Sequence, residues 1–244
     1  NGSDSDEMVY AWEDLPKLAE KVPQSELDQR MQGQDPDDCC TLIYTSGTTG
    51  NPKEVMISHD NITWTAKQIV DTVGGNPDDQ IISYLPLSHI AEQAVSLHGP
   101  ITMGATTWFA ESLDQLGENL TEVRPTIFVG VPRVWEKIQA KMLAAGASNP
   151  WLLQKIAAWA KKKGKVAGYA FQNGESMPSM FNLANKVVYS KVRDKLGLDR
   201  CRIFISTAAP ISMDTLEYFM SLNIPITEVY GMSECTGPAT ISLP

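Results

Sequence analysis

Several features that would place this 244-residue chain in a familiar class of proteins are missing from its sequence. No apolar run approaches the ~20 residues of a membrane-spanning helix. The polar, acidic N-terminus resembles neither a signal peptide nor a transit peptide. The four cysteines contain no C-x-x-C pair, and the adjacent Cys39 and Cys40 are poor disulfide partners. These absences predict a globular protein of a reducing, cytoplasmic compartment, without a transmembrane segment.

Basic residues are scarce in residues 1–38, and acidic residues are scarce in residues 133–202. Residues 1–38 contain 11 acids and 3 bases, a net charge of −8, whereas residues 133–202 contain 14 bases and 4 acids, a net charge of +10. The overall charge of −9 therefore does not exclude a basic face. We predict that residues 1–38 are an acidic connecting segment with one short helix around Trp12–Lys21. Residues 39–244 are expected to be a partial domain, truncated at both ends.

Internal repeats are also missing, and from Cys39 onward short apolar runs alternate with longer amphipathic segments. This alternation predicts an α/β fold with a doubly wound, mostly parallel sheet flanked by helices. Ligands bind at the carboxyl ends of the strands in such sheets, and Thr45 and Tyr230 both end predicted strands. The predicted strands are Cys40–Thr45, Glu54–Ser58, Gln80–Leu85, Thr106–Phe109, Thr126–Val129, Arg202–Ser206 and Ile226–Tyr230. The predicted helices are Asn61–Val73, Ile90–Met103, Leu113–Val123, Pro132–Leu143, Pro150–Lys163, Met180–Leu196 and Met213–Leu222, with Ser212 as an N-cap.

The chain has no Walker A sequence, yet residues 45–53 carry the chemistry of a phosphate-binding loop. These nine residues supply four hydroxyl groups, two glycines and one lysine. Glycine lets backbone N–H groups approach an anion, and Lys53 adds a mobile positive charge suited to phosphate. The alternative is a surface loop rich in small polar residues. The candidate binding residues are Thr45, Ser46, Gly47, Thr48, Thr49, Gly50, Asn51, Pro52 and Lys53.

A second candidate segment follows the predicted strand Ile226–Tyr230. Tyr230 offers a flat face for a base, and Ser233 offers a hydroxyl group. Glu234 is a hard oxygen ligand of the kind that Mg²⁺ requires. The alternative is a solvated turn. The candidate binding residues here are Tyr230, Gly231, Met232, Ser233, Glu234 and Cys235.

Two weaker candidates follow other predicted strands. The small residues Ala208, Ala209 and Pro210 form a turn that would let its backbone line a nucleotide base, although a plain turn is the default interpretation. His89, in the sequence Tyr84-Leu-Pro-Leu-Ser-His, has either a catalytic or gating role or a structural one.

Together these segments resemble the motifs of the adenylate-forming superfamily, which includes acyl-CoA synthetases, luciferase-type enzymes and the adenylation domains of peptide synthetases. Residues 44–53 are similar to its phosphate loop, and residues 230–234 are similar to its Tyr-Gly-x-[Ser/Thr]-Glu motif. The resemblance implies that Tyr230 lies against adenine and that Thr45 and Glu234 hold Mg²⁺. It also implies that Ser233 lies near the α-phosphate and the acyl carboxylate, and that His89 lies at the floor of the acyl site.

The sequence departs from the superfamily immediately after the loop. Glu54 stands where the superfamily has glycine, and Thr207 stands where a glycine is common. The resemblance places the Glu54 carboxylate beside a triphosphate, where it either weakens nucleotide binding or points away.

Several shorter segments resemble the bubblegum group of long-chain and very-long-chain acyl-CoA synthetases: residues 58–64, 83–90, 126–137, 190–198 and 221–225. This resemblance implies ATP- and Mg²⁺-dependent conversion of a fatty acid to an acyl-adenylate and then, with coenzyme A, to acyl-CoA. The partners would be these small molecules and not nucleic acid. The implied catalytic residues are Lys53, His89, Ser233 and Glu234.

Two other functions stay open. One is an adenylation domain that transfers its acyl group to a carrier protein, and the other is an inactive nucleotide-binding homologue. Because the chain lacks counterparts of the superfamily's ribose-binding aspartate, hinge and C-terminal catalytic lysine, we expect little or no complete ligase activity from residues 1–244 alone.

The segment Trp151–Lys165 combines two tryptophans, many aliphatic residues and a run of lysines. One interpretation is peripheral contact with an anionic cytoplasmic membrane surface, such as that of the endoplasmic reticulum. The alternative is a helix packed into the core with a solvated basic end.

Overall fold

The computed structural model describes residues 10–45 and 52–242, and the first two strands form an antiparallel hairpin of their own. Strand β1 (Cys39–Thr45) pairs with β2 (Lys53–Ser58), and Thr45 lies opposite Lys53. The prediction that Thr45 ends a strand of the parallel sheet is therefore wrong. The seven residues between β1 and β2 are too few for the crossover of about a dozen residues that parallel neighbours need.

The remaining strands form one six-stranded sheet, which confirms the predicted α/β fold. The strand order is 4-3-5-6-7-8, and only the last pair is antiparallel. The strands are β3 (Gln80–Ser83), β4 (Thr106–Phe109), β5 (Ile127–Gly130), β6 (Ile203–Ser206), β7 (Ile226–Met232) and β8 (Gly237–Ile241).

The helices follow the predicted pattern, with three main differences. The helix predicted at Pro150–Lys163 continues to Gln172. The predicted helix Ile90–Met103 contains a π-helical turn at Ala94–His98, and a second such turn lies at Asn185–Tyr189. The helix α2 was not predicted, because it is polar and buries none of its residues. None of the described helices is both long and apolar enough to cross a membrane. The helices are α1 (Leu15–Ala19), α2 (Gln24–Gln32), α3 (His59–Val73), α4 (Ile90–Gln93), α5 (Gly99–Met103), α6 (Leu116–Val123), α7 (Pro132–Ala147), α8 (Trp151–Gln172), α9 (Phe181–Ala184), α10 (Ser190–Lys195) and α11 (Met213–Met220).

Each face of the sheet carries its own hydrophobic core, because successive strand residues point to opposite faces. Phe128 and Phe204 face α6, α7 and α11, where Trp135 is fully buried and donates from Nε1 to the Ile205 carbonyl at 3.1 Å. On the other face, Val129 and Ile205 pack with residues of α3 and α5. This division is the doubly wound arrangement that the sequence predicts.

Local signals set the ends of several helices. The Ser58 hydroxyl caps α3 by accepting a hydrogen bond from the backbone N–H of Asn61, and Asn61 Oδ1 accepts one from the backbone N–H of Ser58. The predicted N-cap Ser212 accepts a hydrogen bond from the backbone N–H of Thr215 at 3.2 Å. Both caps confirm that side-chain oxygens satisfy N–H groups that the first helical turn leaves unpaired.

An ion pair between a buried carboxylate and a partly exposed arginine stabilises the amino-terminal edge of the sheet. Asp79, 2% exposed, accepts hydrogen bonds from Nε of Arg202 at 3.1 Å and from the Thr126 hydroxyl at 2.6 Å. Arg202 also donates to the carbonyls of Val73 and Gly74 at the end of α3. Burial alone would raise the pKa of Asp79, but the bonds from Arg202 and Thr126 outweigh it and lower that pKa. The pair therefore connects β3, β6 and α3.

Helix α8 divides into a packed part and an exposed first turn. Ala160 and Gly164 are buried, and the Tyr189 hydroxyl donates to the Ala160 carbonyl at 2.6 Å. In contrast, Trp151 is 67% exposed, and Leu152 and Leu153 beside it are also exposed. The expectation of a core-packed helix holds for the second half of α8 and is wrong for its first turn.

Candidate functional site

One cavity of about 620 Å³ lies where the carboxyl ends of the parallel strands meet the hairpin and α3. We call the lining residues that follow β3, β6 and β7 its polar end, and the apolar lining residues of α3, the π-helical turn and the strands its apolar arm. Seven predicted site residues line it: Thr45, His89, Ala208, Gly231, Met232, Ser233 and Glu234. The position agrees with the rule that ligands of such sheets bind at the carboxyl ends of the strands.

The hairpin presents different residues on its two faces. Thr45 lines the cavity, and Lys53 lies opposite it on the same face of the hairpin. Glu54 lies opposite Tyr44 on the other face, because successive residues of a strand alternate. The Glu54 carboxylate beside the Tyr44 hydroxyl raises the pKa of Tyr44. Of the two outcomes expected for Glu54, the backbone pattern thus favours the one in which the side chain points away from the cavity.

The remaining residues of the predicted phosphate loop, Ser46, Gly47, Thr48, Thr49, Gly50 and Asn51, lie outside the described residues. Pro52 is described, but neither it nor Lys53 is among the residues that line the cavity.

The end of β7 brings Ser233 and Glu234 to the cavity through a backbone irregularity. A bulge lies between Tyr230 and Gly231, and a Cβ on Gly231 would lie 2.0 Å from the Gly237 carbonyl oxygen. Only glycine therefore permits β8 to pair this closely. Tyr230 is 63% exposed and lies outside the cavity lining, so its predicted contact with adenine requires the base to bind at the rim.

A short 3₁₀ turn, Ser233–Cys235, then closes the segment. The Cys235 thiol donates to the Gly237 carbonyl at 3.1 Å, which ties the turn to β8. Cys235 also lines a small recess beside the main cavity, and Glu234 borders both spaces. Glu234 is therefore accessible from two sides.

The turn after β6 contributes Thr207 and Ala208. Ala208 has a positive φ of 75°, a conformation that costs energy in a residue with a Cβ and that is often found at functional sites. The Thr207 hydroxyl donates to the Val229 carbonyl at 3.1 Å and so links β6 to β7. Thr207, which departs from the superfamily's glycine, is thus tied into the sheet. Ala209 and Pro210 do not line the cavity.

His89 lies at the cavity wall and caps α4. Its Nδ1 accepts a hydrogen bond from the backbone N–H of Ala91 at 3.1 Å. This bond leaves Nε2 as the nitrogen that is free to contact a ligand. The structure therefore assigns a structural role to one ring nitrogen and leaves the predicted ligand role to the other.

A buried carboxylate supports the same wall and was not among the predicted residues. Glu92 is 3% exposed, and its Oε1 accepts hydrogen bonds from the hydroxyls of Ser83 and Ser96, each at 2.6 Å. The two bonds connect the end of β3 with the π-helical turn that lines the cavity. The sequence offers little signal for this group, because Ser83 meets Glu92 only after α4 packs on the sheet.

The residues of α3 that line the cavity were also not predicted from the sequence. Trp64 and Thr65 border both the main cavity and the recess beside Glu234, and Ile69 and Val73 continue along the apolar arm. Thr65 and Ile69 are four residues apart, so they share one face of the helix. The helical period was visible in the sequence, but the identity of the surface that this face covers was not.

Solved structures share this fold. Apo MatB from Rhodopseudomonas palustris superposes with a TM-score of 0.57 at 22% identity, over 86% of this chain and 32% of that one. A ternary product complex of malonyl-CoA ligase with methylmalonyl-CoA and AMP gives a TM-score of 0.58 at 19% identity, over 86% of this chain and 36% of that one. These superpositions show that the chain shares its α/β fold with the two proteins.

The chain belongs to the AMP-binding enzyme family, whose model matches residues 3–244. Among curated proteins it is similar to the long-chain-fatty-acid–CoA ligase ACSBG2 of Xenopus laevis, with 50% identity over 97% of this chain. This similarity confirms the resemblance to the bubblegum group. The chain spans about a third of the length of that relative, 33%.

Proposed function

We propose that the intact protein is an AMP-forming ligase that joins a long-chain or very-long-chain fatty acid to coenzyme A, using ATP and Mg²⁺. The observation that supports this most directly is that a single cavity joins a polar end, with Ser233 and Glu234, to an apolar arm. A fatty acid has the same division, with a carboxylate at one end and a hydrocarbon tail behind it. The name of the ACSBG2 relative agrees with this assignment.

The apolar arm fits a hydrocarbon tail. Ile69, Val95, Val129 and Ile205 line it, from α3, the π-helical turn and two strands of the sheet. Each methylene group removed from water contributes about 0.8 kcal/mol. A tail held along this arm would therefore provide much of the substrate's binding energy and would direct its carboxylate toward Ser233.

The polar end fits a magnesium ion together with nucleotide phosphates. Magnesium prefers oxygen ligands and usually takes one or two protein groups, with water and substrate phosphates completing its shell. Glu234 and Thr45 supply a carboxylate and a hydroxyl to the same cavity. Within residues 10–45 and 52–242 no cluster of three His, Cys, Asp or Glu side chains occurs. When bound, the ion would neutralise charge on the phosphates.

The proposed reaction has two displacement steps. A carboxylate oxygen of the fatty acid forms a bond to the α-phosphorus of ATP, and the bond to the pyrophosphate breaks. The coenzyme A sulfur, which loses its proton, then bonds to the acyl carbon, and AMP leaves. The side chains act by position and charge, as in other reactions at phosphorus. Lys53 would pair with phosphate charge, and the Ser233 hydroxyl would bind oxygens at the reacting centre.

Fatty-acid-dependent exchange between ATP and pyrophosphate in the intact protein tests the first step. We expect exchange with the wild type and a loss on the order of 100-fold for Glu234→Gln. Glu228→Gln is the matched control, because Glu228 lies on the same strand, is exposed and does not line the cavity. Absence of fatty-acid-dependent exchange in the wild type would instead favour an inactive nucleotide-binding homologue.

The identity of the acyl acceptor distinguishes the ligase from the remaining alternative, an adenylation domain that transfers its acyl group to a carrier protein. Release of acyl-CoA after addition of coenzyme A supports the ligase, whereas acylation of a carrier protein alone would contradict it. A panel of fatty acids in the same assay would give the chain-length preference.

A cytoplasmic location is part of this proposal. All four cysteines are free thiols, which agrees with a reducing compartment. Cell fractionation with an antibody to the protein would test it, and recovery in a secreted or luminal fraction would contradict it.

A further inference from the structure

The ends of α7 and α8 form an apolar corner at the surface. We define this corner by its four large, exposed apolar side chains: Leu143 (49% exposed), Trp151 (67%), Leu152 (54%) and Leu153 (49%). Only residues 148–150 separate the two helices. The Gln154 side chain donates to the carbonyls of Ala147 at 3.2 Å and Asn149 at 2.8 Å, which holds the connection in place. These two hydrogen bonds fix the first turn of α8 against the end of α7.

The segment of chain that contains the corner carries charge of one sign. Residues 137–174 contain seven lysines and no acidic residue. Within α8, Trp151, Lys155 and Lys162 are exposed and share one face, because their spacing of 4 and 11 residues returns to the same side of a helix. The buried Ala160 and Ala167 lie on the opposite face. The outward face of α8 is thus a stripe of lysines that begins at an exposed tryptophan.

Two of these lysines, Lys155 and Lys162, are available for an external partner, whereas Lys137 forms an ion pair with Asp114. Lys165 forms an ion pair with Glu217, but Lys155 and Lys162 have no carboxylate partner among the described residues. The Lys155 ammonium lies 5.1 Å from the centre of the Trp151 ring. An aromatic ring beside an ammonium group on a long stem matches the interface between lipid headgroups and acyl chains, where both side chains are favoured.

We infer that this corner docks on an anionic phospholipid bilayer, with Trp151 and its apolar neighbours inserted among the headgroups and the lysine stripe lying on lipid phosphates. A second copy of the chain fits less well, because it would place lysine against lysine. The corner lies with α7 on the face of the sheet opposite α3 and the cavity. Docking would therefore leave the cavity unobstructed.

Flotation of the intact protein with lipid vesicles tests the inference. We expect binding to vesicles rich in phosphatidylserine, weak binding to phosphatidylcholine alone, and release when salt rises from about 0.1 M to about 1 M, where the Debye length falls from about 10 Å to 3 Å. Equal binding to both lipids, or no binding, would overturn the proposal.

Charge variants test whether vesicle binding depends on the lysines at this corner or only on the net charge of the protein. The double variant Lys155→Gln/Lys162→Gln should bind phosphatidylserine vesicles at least about tenfold more weakly. The control Lys17→Gln/Lys67→Gln removes the same charge from exposed lysines elsewhere and should change binding less than about twofold. Equal losses in the two double variants would show a non-specific charge effect and refute the assignment.

Tryptophan fluorescence tests whether the apolar side chains of the corner insert into the bilayer. Vesicles should shift tryptophan fluorescence to the blue, and Trp151→Phe should remove most of this shift while binding persists. Trp151→Gln should weaken binding, whereas Ile101→Gln should not, although Ile101 is even more exposed at 78%. If another part of the intact protein covers the corner, Trp151 will resist quenching by acrylamide before vesicles are added, and the inference fails.

Discussion

The substitution Arg202→Gln tests whether the ion pair at the amino-terminal edge stabilises the domain. It removes the charge that faces Asp79, whose side chain is 2% exposed and retains bonds only from Thr126 and the backbone N–H of Asn76. A buried carboxylate that loses its partner costs about 3–5 kcal/mol. Because the Arg202 side chain is 37% exposed, we take the lower end and expect a loss of about 3 kcal/mol in the free energy of unfolding.

The pH dependence provides the sharper test. In the wild type the pKa of Asp79 is lowered, so its contribution is present above the unfolded value of about 3.9 and is lost as the pH falls through the folded pKa. In Arg202→Gln the bonds and charge from Arg202 are lost, so we expect burial, the largest influence on Asp79, to shift its pKa upward. The variant's deficit should therefore shrink as the pH falls from about 7 toward 4.

Urea unfolding of the intact protein, followed by circular dichroism at several pH values, measures both effects. The double variant Asp79→Asn/Arg202→Gln should lose less stability than the sum of the two single variants, because the pair is coupled. A deficit of less than about 0.5 kcal/mol at neutral pH, or one that does not change with pH, would refute the reasoning.

Three further predictions follow from the geometry. Glu54→Gly should leave the KM for ATP within about twofold of wild type, because Glu54 lies on the outer face of the hairpin; a larger change, measured by ATP titration of the ligase, would contradict that placement. Gly197→Ala should lower the melting temperature far more than Gly174→Ala. Both glycines have a φ of 69°, which costs about 1–2 kcal/mol in alanine, but only at Gly197 would the new Cβ lie 2.0 Å from the Leu120 carbonyl oxygen; equal shifts would disprove the clash. Burial raises the pKa of Cys201 to about 12, so thiol reagents followed by mass spectrometry should label it only after unfolding, and labelling at the rate of the exposed cysteines would show that it is accessible in the native state.

Local sequence predicted most individual elements but not how all of them pair. Strand β4 has the bounds that were predicted, Thr106–Phe109, because a short apolar run is a local signal. The hairpin of β1 and β2 was placed in the wrong sheet, since its strands look like any other apolar run. The short connection between β1 and β2 decided their pairing, because it allows an antiparallel hairpin but not a parallel crossover.

The candidate site shows the same division. Thr45, Ser233 and Glu234 were predicted because their motifs are contiguous in sequence, and all three line one cavity. Trp64 and Glu92 were not predicted, since they reach the site only through the packing of α3 and α4 on the sheet. Motifs thus identify the chemistry of the polar end, whereas the shape of the apolar arm depends on tertiary structure.

The position of the Asp79–Arg202 pair has a practical consequence. Asp79 and Arg202 come immediately before β3 and β6, whereas Thr207 and Ser233 come after β6 and β7. The ion pair that connects β3, β6 and α3 and the residues that line the cavity therefore lie at opposite ends of the same short strands. In a random mutagenesis screen, substitutions at the two ends of these strands should therefore have different effects. Variants at the amino ends would lose soluble expression at unchanged specific activity, and variants at the carboxyl ends would express normally but turn over slowly, so engineering for stability can proceed at one end without altering the other.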